Sequence, residues 1–268
     1  MVNEKYHGLG TAPSVIRELF AYGLQQAKVV GKENVFDYSL GNPSIPAPAK
    51  VNETIKKLID TTDSIQLHGY SMAPGFENVR QAIADNLNAR FNCNAKASEL
   101  FMTCGCAPAL VSVAHALTTS PEDEFIAIAP FFPEYNVFFT CAGAKLAVVP
   151  ADTVHFQIDM DALEKTINEH SVAVVINSPN NPSGVVYTEE TLTKIAELLE
   201  RKSKEYGHPI YIVADEPYRE LVYDGVKVTF IPNVYDNTIV CYSWSKSLSL
   251  PGERIGYVYV PEKCADAK

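Results

Sequence analysis

From residue 100 onward the sequence alternates short apolar runs with segments of helical periodicity, and no other feature limits the fold so tightly. The runs cover residues 100–103, 125–129, 145–149, 172–176, 210–214, 238–242 and 256–260. Hydrophobicity within them is continuous, whereas a strand with one wet face would alternate apolar and polar residues, so each is predicted to be buried on both faces. Helix candidates separate them at 107–117, 133–142, 159–168 and 188–206. Strands joined through helices pair in parallel by crossovers. The predicted fold class is therefore α/β, a three-layer α/β/α sandwich around a mostly parallel seven-stranded sheet.

The chain before this region reads differently. Val15, Ile16, Leu19, Phe20 and Leu24 recur at helical spacing over 13–29, with Pro13 suited to a first turn. A loop dense in Gly and Pro follows over 37–48, then helices over 50–59 and 76–91, separated by a second loop at 68–75. Residues 1–60 are expected to form an arm, with part of a smaller domain, and 61–268 a larger domain. With 47% hydrophobic and 20% charged residues the composition is that of a globular protein. A net charge of −10 argues against a nucleic-acid or anionic-membrane surface, both of which need clustered positive charge, so small molecules are the expected partners. No signal-like or membrane-spanning apolar stretch is visible, and a cytoplasmic location is expected. The six cysteines form no CxxC pair or Cys/His cluster, so reduced thiols and no metal are expected.

Chemistry-bearing residues collect where the apolar runs end, the edge at which parallel sheets bind ligands. Gly105 between a strand and a helix makes a tight turn at a helix N-terminus, where free amides suit a phosphate; a plain connecting turn would look the same. The aromatics of Pro130-Phe131-Phe132-Pro133-Glu134-Tyr135 could stack on a flat ring or simply fill core. The Asn-Pro corners of residues 177–184 are turn chemistry that also fixes an amide at the sheet edge. Asp215 ends an apolar strand, and burial there is costly unless a cation or donor meets it. Last, Lys246 sits in Ser243-Trp244-Ser245-Lys246-Ser247, directly after a buried run, with Arg254 eight residues on. A lysine with a lowered pKa can attack an aldehyde through its neutral amine.

In this order, Gly41-Asn42-Pro43, Gly105-Cys106-Ala107, Pro130 to Tyr135, Asn180 to Gly184, Asp215-Glu216-Pro217-Tyr218 and Ser243-x-Ser245-Lys246 with Arg254 resemble the class I/II aminotransferases. These are enzymes of the aspartate-aminotransferase fold, fold type I, that use pyridoxal 5′-phosphate. The resemblance covers nearly the whole chain. It implies an aminotransferase moving an amino group between an amino acid and a 2-oxo acid, with Lys246 forming the internal aldimine and then shuttling a proton. Asp215 would pair with the pyridinium nitrogen, Asn181 and Tyr218 with the ring's phenolic oxygen, and Phe132 would stack on the ring, with Tyr135 nearby. The phosphate would be held by the turn at Gly105, the amides of Cys106 and Ala107, Ser243 and Arg254. Tyr70 would reach the phosphate of a partner subunit in a homodimer. Gly41 and Asn181 would lie by the substrate. The family continues into a C-terminal small domain, which the resemblance places beyond this sequence. Other reactions on the same cofactor site, such as β-elimination or decarboxylation, stay open, as does a non-catalytic cofactor-binding fragment.

Overall fold

The structure, a computed structural model, describes residues 2–267; Met1 and Lys268, the outer ends of the two expected domain ranges, lie outside the described residues. The chain divides into two compact units, one up to Ile45 and one from Pro46. The first holds α1 (Glu4–Thr11), α2 (Val15–Val30) and a single 3-10 turn. The periodicity of α2 is legible in the sequence, whereas α1 carries Gly8 and Gly10 and no apolar stripe, and is begun by Asn3, whose side chain accepts from the amides of Lys5 and Tyr6.

In the second unit α3 (Ala49–Thr61), α4 (Ser64–His68) and α5 (Glu77–Phe91) precede the first strand. All seven apolar runs form strands: β1 (Leu100–Thr103), β2 (Glu124–Ile128), β3 (Lys145–Val149), β4 (Ser171–Asn177), β5 (Tyr211–Asp215), β6 (Thr238–Ser243) and β7 (Gly256–Tyr259). Helices α6 (Cys106–Leu117), α7 (Glu134–Ala142), α8 (Met160–Thr166) and α9 (Glu189–Tyr206) follow β1, β2, β3 and β4 in turn. The sheet order is β1-β7-β6-β5-β4-β2-β3. Pairing is parallel from β6 through β3, while β7 runs antiparallel to both its neighbours. Residues 244–255 between β6 and β7 are a short run of turns, whereas the parallel pair β5 and β6 is joined by the longer stretch 216–237, and β7 comes back in the opposite direction.

Both faces of the sheet are covered, which explains the unbroken hydrophobicity of its strands. On β4, Val174 and Ile176 join a core with α5, α8 and α9, while Ala173 and Val175 pack with α6 and α7. The sandwich is three-layered, as the sequence predicts. Register then sets the site. Asn177 is level with Asp215, Asp215 with Cys241, and Gly256 with both Ser243 and Thr103, so residues distant in sequence end at one height on the sheet. Among the described residues no helix is long and apolar enough to cross a membrane.

Candidate functional site

At that edge lies a cleft of about 190 Å³, lined by residues that include Cys106, Ala107, Phe132, Asn181, Asp215, Tyr218, Ser243, Lys246 and Arg254. Asp215 forms its floor. The side chain is 5% exposed, and its carboxylate accepts from the Cys106 thiol (3.0 Å) through Oδ1 and from the Tyr135 hydroxyl (2.5 Å) through Oδ2. Burial pushes both donors well above their ordinary pKa values, with the Asp215 charge adding to it, so both stay protonated and donate. Burial also raises Asp215 itself, and the two hydrogen bonds oppose that rise. Both partners are neutral, so a carboxylate in this position is a ready partner for a cation entering the cleft.

Asn177 braces the two turns that flank Asp215. Its amide nitrogen donates to the Asp215 carbonyl (2.8 Å), and its side-chain oxygen accepts from the Asn181 backbone amide (2.6 Å). Asn181 in turn shares a side-chain hydrogen bond with Tyr218, whose phenol is pushed up to about 12, first by burial and then by the charge of Asp215. Lys246 stands in the turn after β6, half-buried, its Nζ 6.0 Å from the centre of the Tyr218 ring. Burial lowers its pKa, which enlarges the fraction present as the nucleophilic amine.

The far end of the cleft is an anion cradle. α6 begins at Cys106 after Gly105, so the amides of Cys106 and Ala107 fall in its first turn, where no intrahelical acceptor exists; Pro108 has no amide to offer. Gly105 has φ +102°, and a Cβ there would lie 2.8 Å from Arg254 Nη2, so the guanidinium approaches the turn only because the residue is glycine. Arg254 adopts a left-handed φ of 53° and donates through Nη1 to the Pro251 carbonyl (2.9 Å). Ser243 is buried at the same edge. Phe132 lies on the cleft wall, edge-on to Tyr135 with ring centres 5.8 Å apart.

The profile of the aminotransferase class I and II family matches residues 33–267. The chain belongs to that family. Among its relatives, a probable N-acetyl-LL-diaminopimelate aminotransferase of Bacillus subtilis is 31% identical, over 93% of this chain and 61% of its own length. An aspartate aminotransferase of Sulfurisphaera tokodaii is 28% identical over 85% of this chain and 56% of its own. Among solved structures, an aminotransferase from Eubacterium rectale superimposes with a TM-score of 0.97 at 60% identity, covering 100% of this chain and 67% of that one. An aspartate aminotransferase from Thermus thermophilus, solved with maleate, gives 0.83 at 25% identity, covering 100% of this chain and 66% of that one. The chain thus spans about 61% of the length of curated relatives such as the Bacillus protein.

Within this family fold, the expected site residues separate into those the second unit brings together and two others. Phe132, Asn181, Asp215, Tyr218, Ser243, Lys246, Arg254 and the Gly105–Ala107 turn meet at one cleft. Tyr70 is fully exposed and does not line it, and Gly41 belongs to the first unit, in a stretch without helix or strand. Sequence reasoning passed over Asn177, because an asparagine ending a strand reads as turn chemistry. Its signal was the apolar run before it, which implied a buried amide in need of partners.

Proposed function

We propose that this chain is the cofactor-binding part of an aminotransferase that uses pyridoxal 5′-phosphate to move an amino group between an amino acid and a 2-oxo acid. The observation that carries the reading is Asp215, a buried carboxylate with two neutral donors, in one cleft with a lysine of lowered pKa. The residues fit the group: Asp215 suits a protonated ring nitrogen, Asn181 and Tyr218 a phenolic oxygen, and Phe132 a ring face. The first turn of α6, Ser243 and Arg254 suit a phosphate, and the guanidinium lies so close to Gly105 that a Cβ there would have to displace it from the turn. When bound, the cofactor supplies an electron sink for the carbon that loses its proton.

The chain's own residues do the rest. Lys246 would hold the cofactor's aldehyde carbon through its amine, and its Nζ is the group that would take and return the substrate proton. Asp215 would pair with the protonated ring nitrogen, and Asn181 and Tyr218 would hydrogen-bond the ring's phenolic oxygen. The expected homodimer, with Tyr70 reaching a partner's phosphate, and the roles of Gly41 and Asn181 toward substrate belong to the same reading, as does the division into an arm over 1–60 and a larger domain over 61–268.

Titrating purified protein with pyridoxal 5′-phosphate should give a visible absorption band, and borohydride should leave the cofactor covalently attached at Lys246. Lys246→Ala should give neither. A wild-type chain with no band would refute the cofactor assignment. Where a band forms, an amino acid should convert the bound cofactor to its amine form without release of ammonia; ammonia release would favour elimination instead.

A further inference from the structure

Beneath the cleft, on the opposite side of the sheet, a second polar cluster joins the turn after Asp215 to the turn that carries Lys246. Glu216, next to Asp215, lies 2.9 Å from Arg219 Nη1 across one tight turn, with both side chains 2% exposed. Arg219 donates from Nη2 to the Tyr257 hydroxyl (2.9 Å), and its guanidinium carbon sits 4.4 Å from the centre of the Tyr242 ring. Glu220 continues the line, its Oε2 accepting from the Tyr242 hydroxyl at 3.0 Å. That hydroxyl also meets Ser247 Oγ at 2.9 Å, and Ser247 follows Lys246. An unbroken run of side chains therefore connects the segment bearing the acid to the segment bearing the amine without entering the cleft.

Such a cluster can often be matched or bettered in stability by apolar packing, although removing one of its charges alone is costly. What it does supply is direction. Tyr242 is on β6, a strand paired on both sides, and its hydroxyl adds a side-chain hold to a turn otherwise closed by backbone hydrogen bonds, while Arg219 packs the other turn against the same ring. We infer that Tyr242 is a positioning residue, which holds Lys246, through Ser247, at a set place relative to Asp215 for the cofactor. The inference rests on the function proposed above.

The test uses Tyr242→Phe, Ser247→Ala, their double variant and Ser247→Thr, each titrated with pyridoxal 5′-phosphate. Ser247→Ala should bind the cofactor about 5- to 10-fold more weakly, the worth of one buried hydrogen bond, and Tyr242→Phe, which also loses its bond to Glu220, at least as weakly. Each should also move the pH midpoint of the visible band in the same direction, while the ligand-free melting temperature changes far less. The double variant should be no weaker than Tyr242→Phe alone, because both changes remove one shared contact, and Ser247→Thr should restore wild-type behaviour. Variants that bind and titrate as wild type does, or losses that multiply in the double variant, would overturn the inference. Should Tyr242→Phe not fold, the half-buried Ser247 pair decides it alone. A wild-type chain that takes up no cofactor fails the site reading itself, and this inference with it.

Discussion

Asp215 and Glu216 are neighbours in the chain and almost equally buried, at 5% and 2% exposure, yet their carboxylates are met in opposite ways. Asp215 faces the α6–α7 side, where its donors are a thiol and a phenol. Glu216 meets a guanidinium from its own turn. A carboxylate that only has to be stable receives its counter-charge from the chain. One that has to bind is left with neutral donors, which orient it without cancelling its charge. Successive side chains at a strand end point to opposite faces, so one dipeptide serves both purposes.

The largest effect should come from removing the structural cation. Arg219→Leu leaves Glu216 buried beside no positive charge and should cost about 3–5 kcal/mol in denaturant unfolding. If the loss is well under 1 kcal/mol, the two carboxylates do not differ in the way described. Next in size is a pH effect. Burial raises Glu216 from 4.5 to about 7, against the opposing pull of Arg219. The folded chain then holds that proton more tightly than the unfolded chain does, so this contribution is complete below about pH 4.5 and is lost as pH rises through about 7. The span amounts to at most about 3 kcal/mol, and it should disappear from the pH profile of the melting temperature in Glu216→Gln. Smallest in stability is Asp215→Asn. It removes a buried charge and weakens one of two hydrogen bonds, so the ligand-free chain should stay within about 1 kcal/mol of wild type. Its affinity for pyridoxal 5′-phosphate should nevertheless fall, which calorimetry of the two forms would show side by side.

Much of this was legible in the sequence. Each of the seven apolar runs became a strand, because continuous burial on two faces demands continuous hydrophobicity. The Lys246, Asp215 and Asn181 neighbourhoods were visible as polar residues at the ends of those runs. The antiparallel course of β7 was not, since the apolar pattern of a strand carries no direction, and the connection between β5 and β6 lacks an α-helix too although those strands are parallel. α4 was lost for a different reason, as its five residues are too few to show a period and its start depends on Asp63 capping Ile65 and Gln66. Glu216 and Arg219 were beyond reach as well. In sequence they are ordinary surface charges, and what buries them is aromatic residues from elsewhere in the chain, including Phe91, Phe230 and Tyr242.

The placement of β7 also bears on how the molecule is assembled. β1 lies at the rim of the sheet and is hydrogen-bonded within it to β7 alone, pairing Leu100 with Tyr259 and Thr103 with Gly256. As the chain leaves the ribosome, β1 has no neighbour until residues 256–259 have been made, and closing so distant a pair is slow. Until then both β1 and β6 offer open edges on which another chain could template. The anion cradle is subject to the same delay, because Gly105 follows β1 and Arg254 precedes β7. The order of synthesis thus makes the cradle one of the last parts of the sheet edge to be completed.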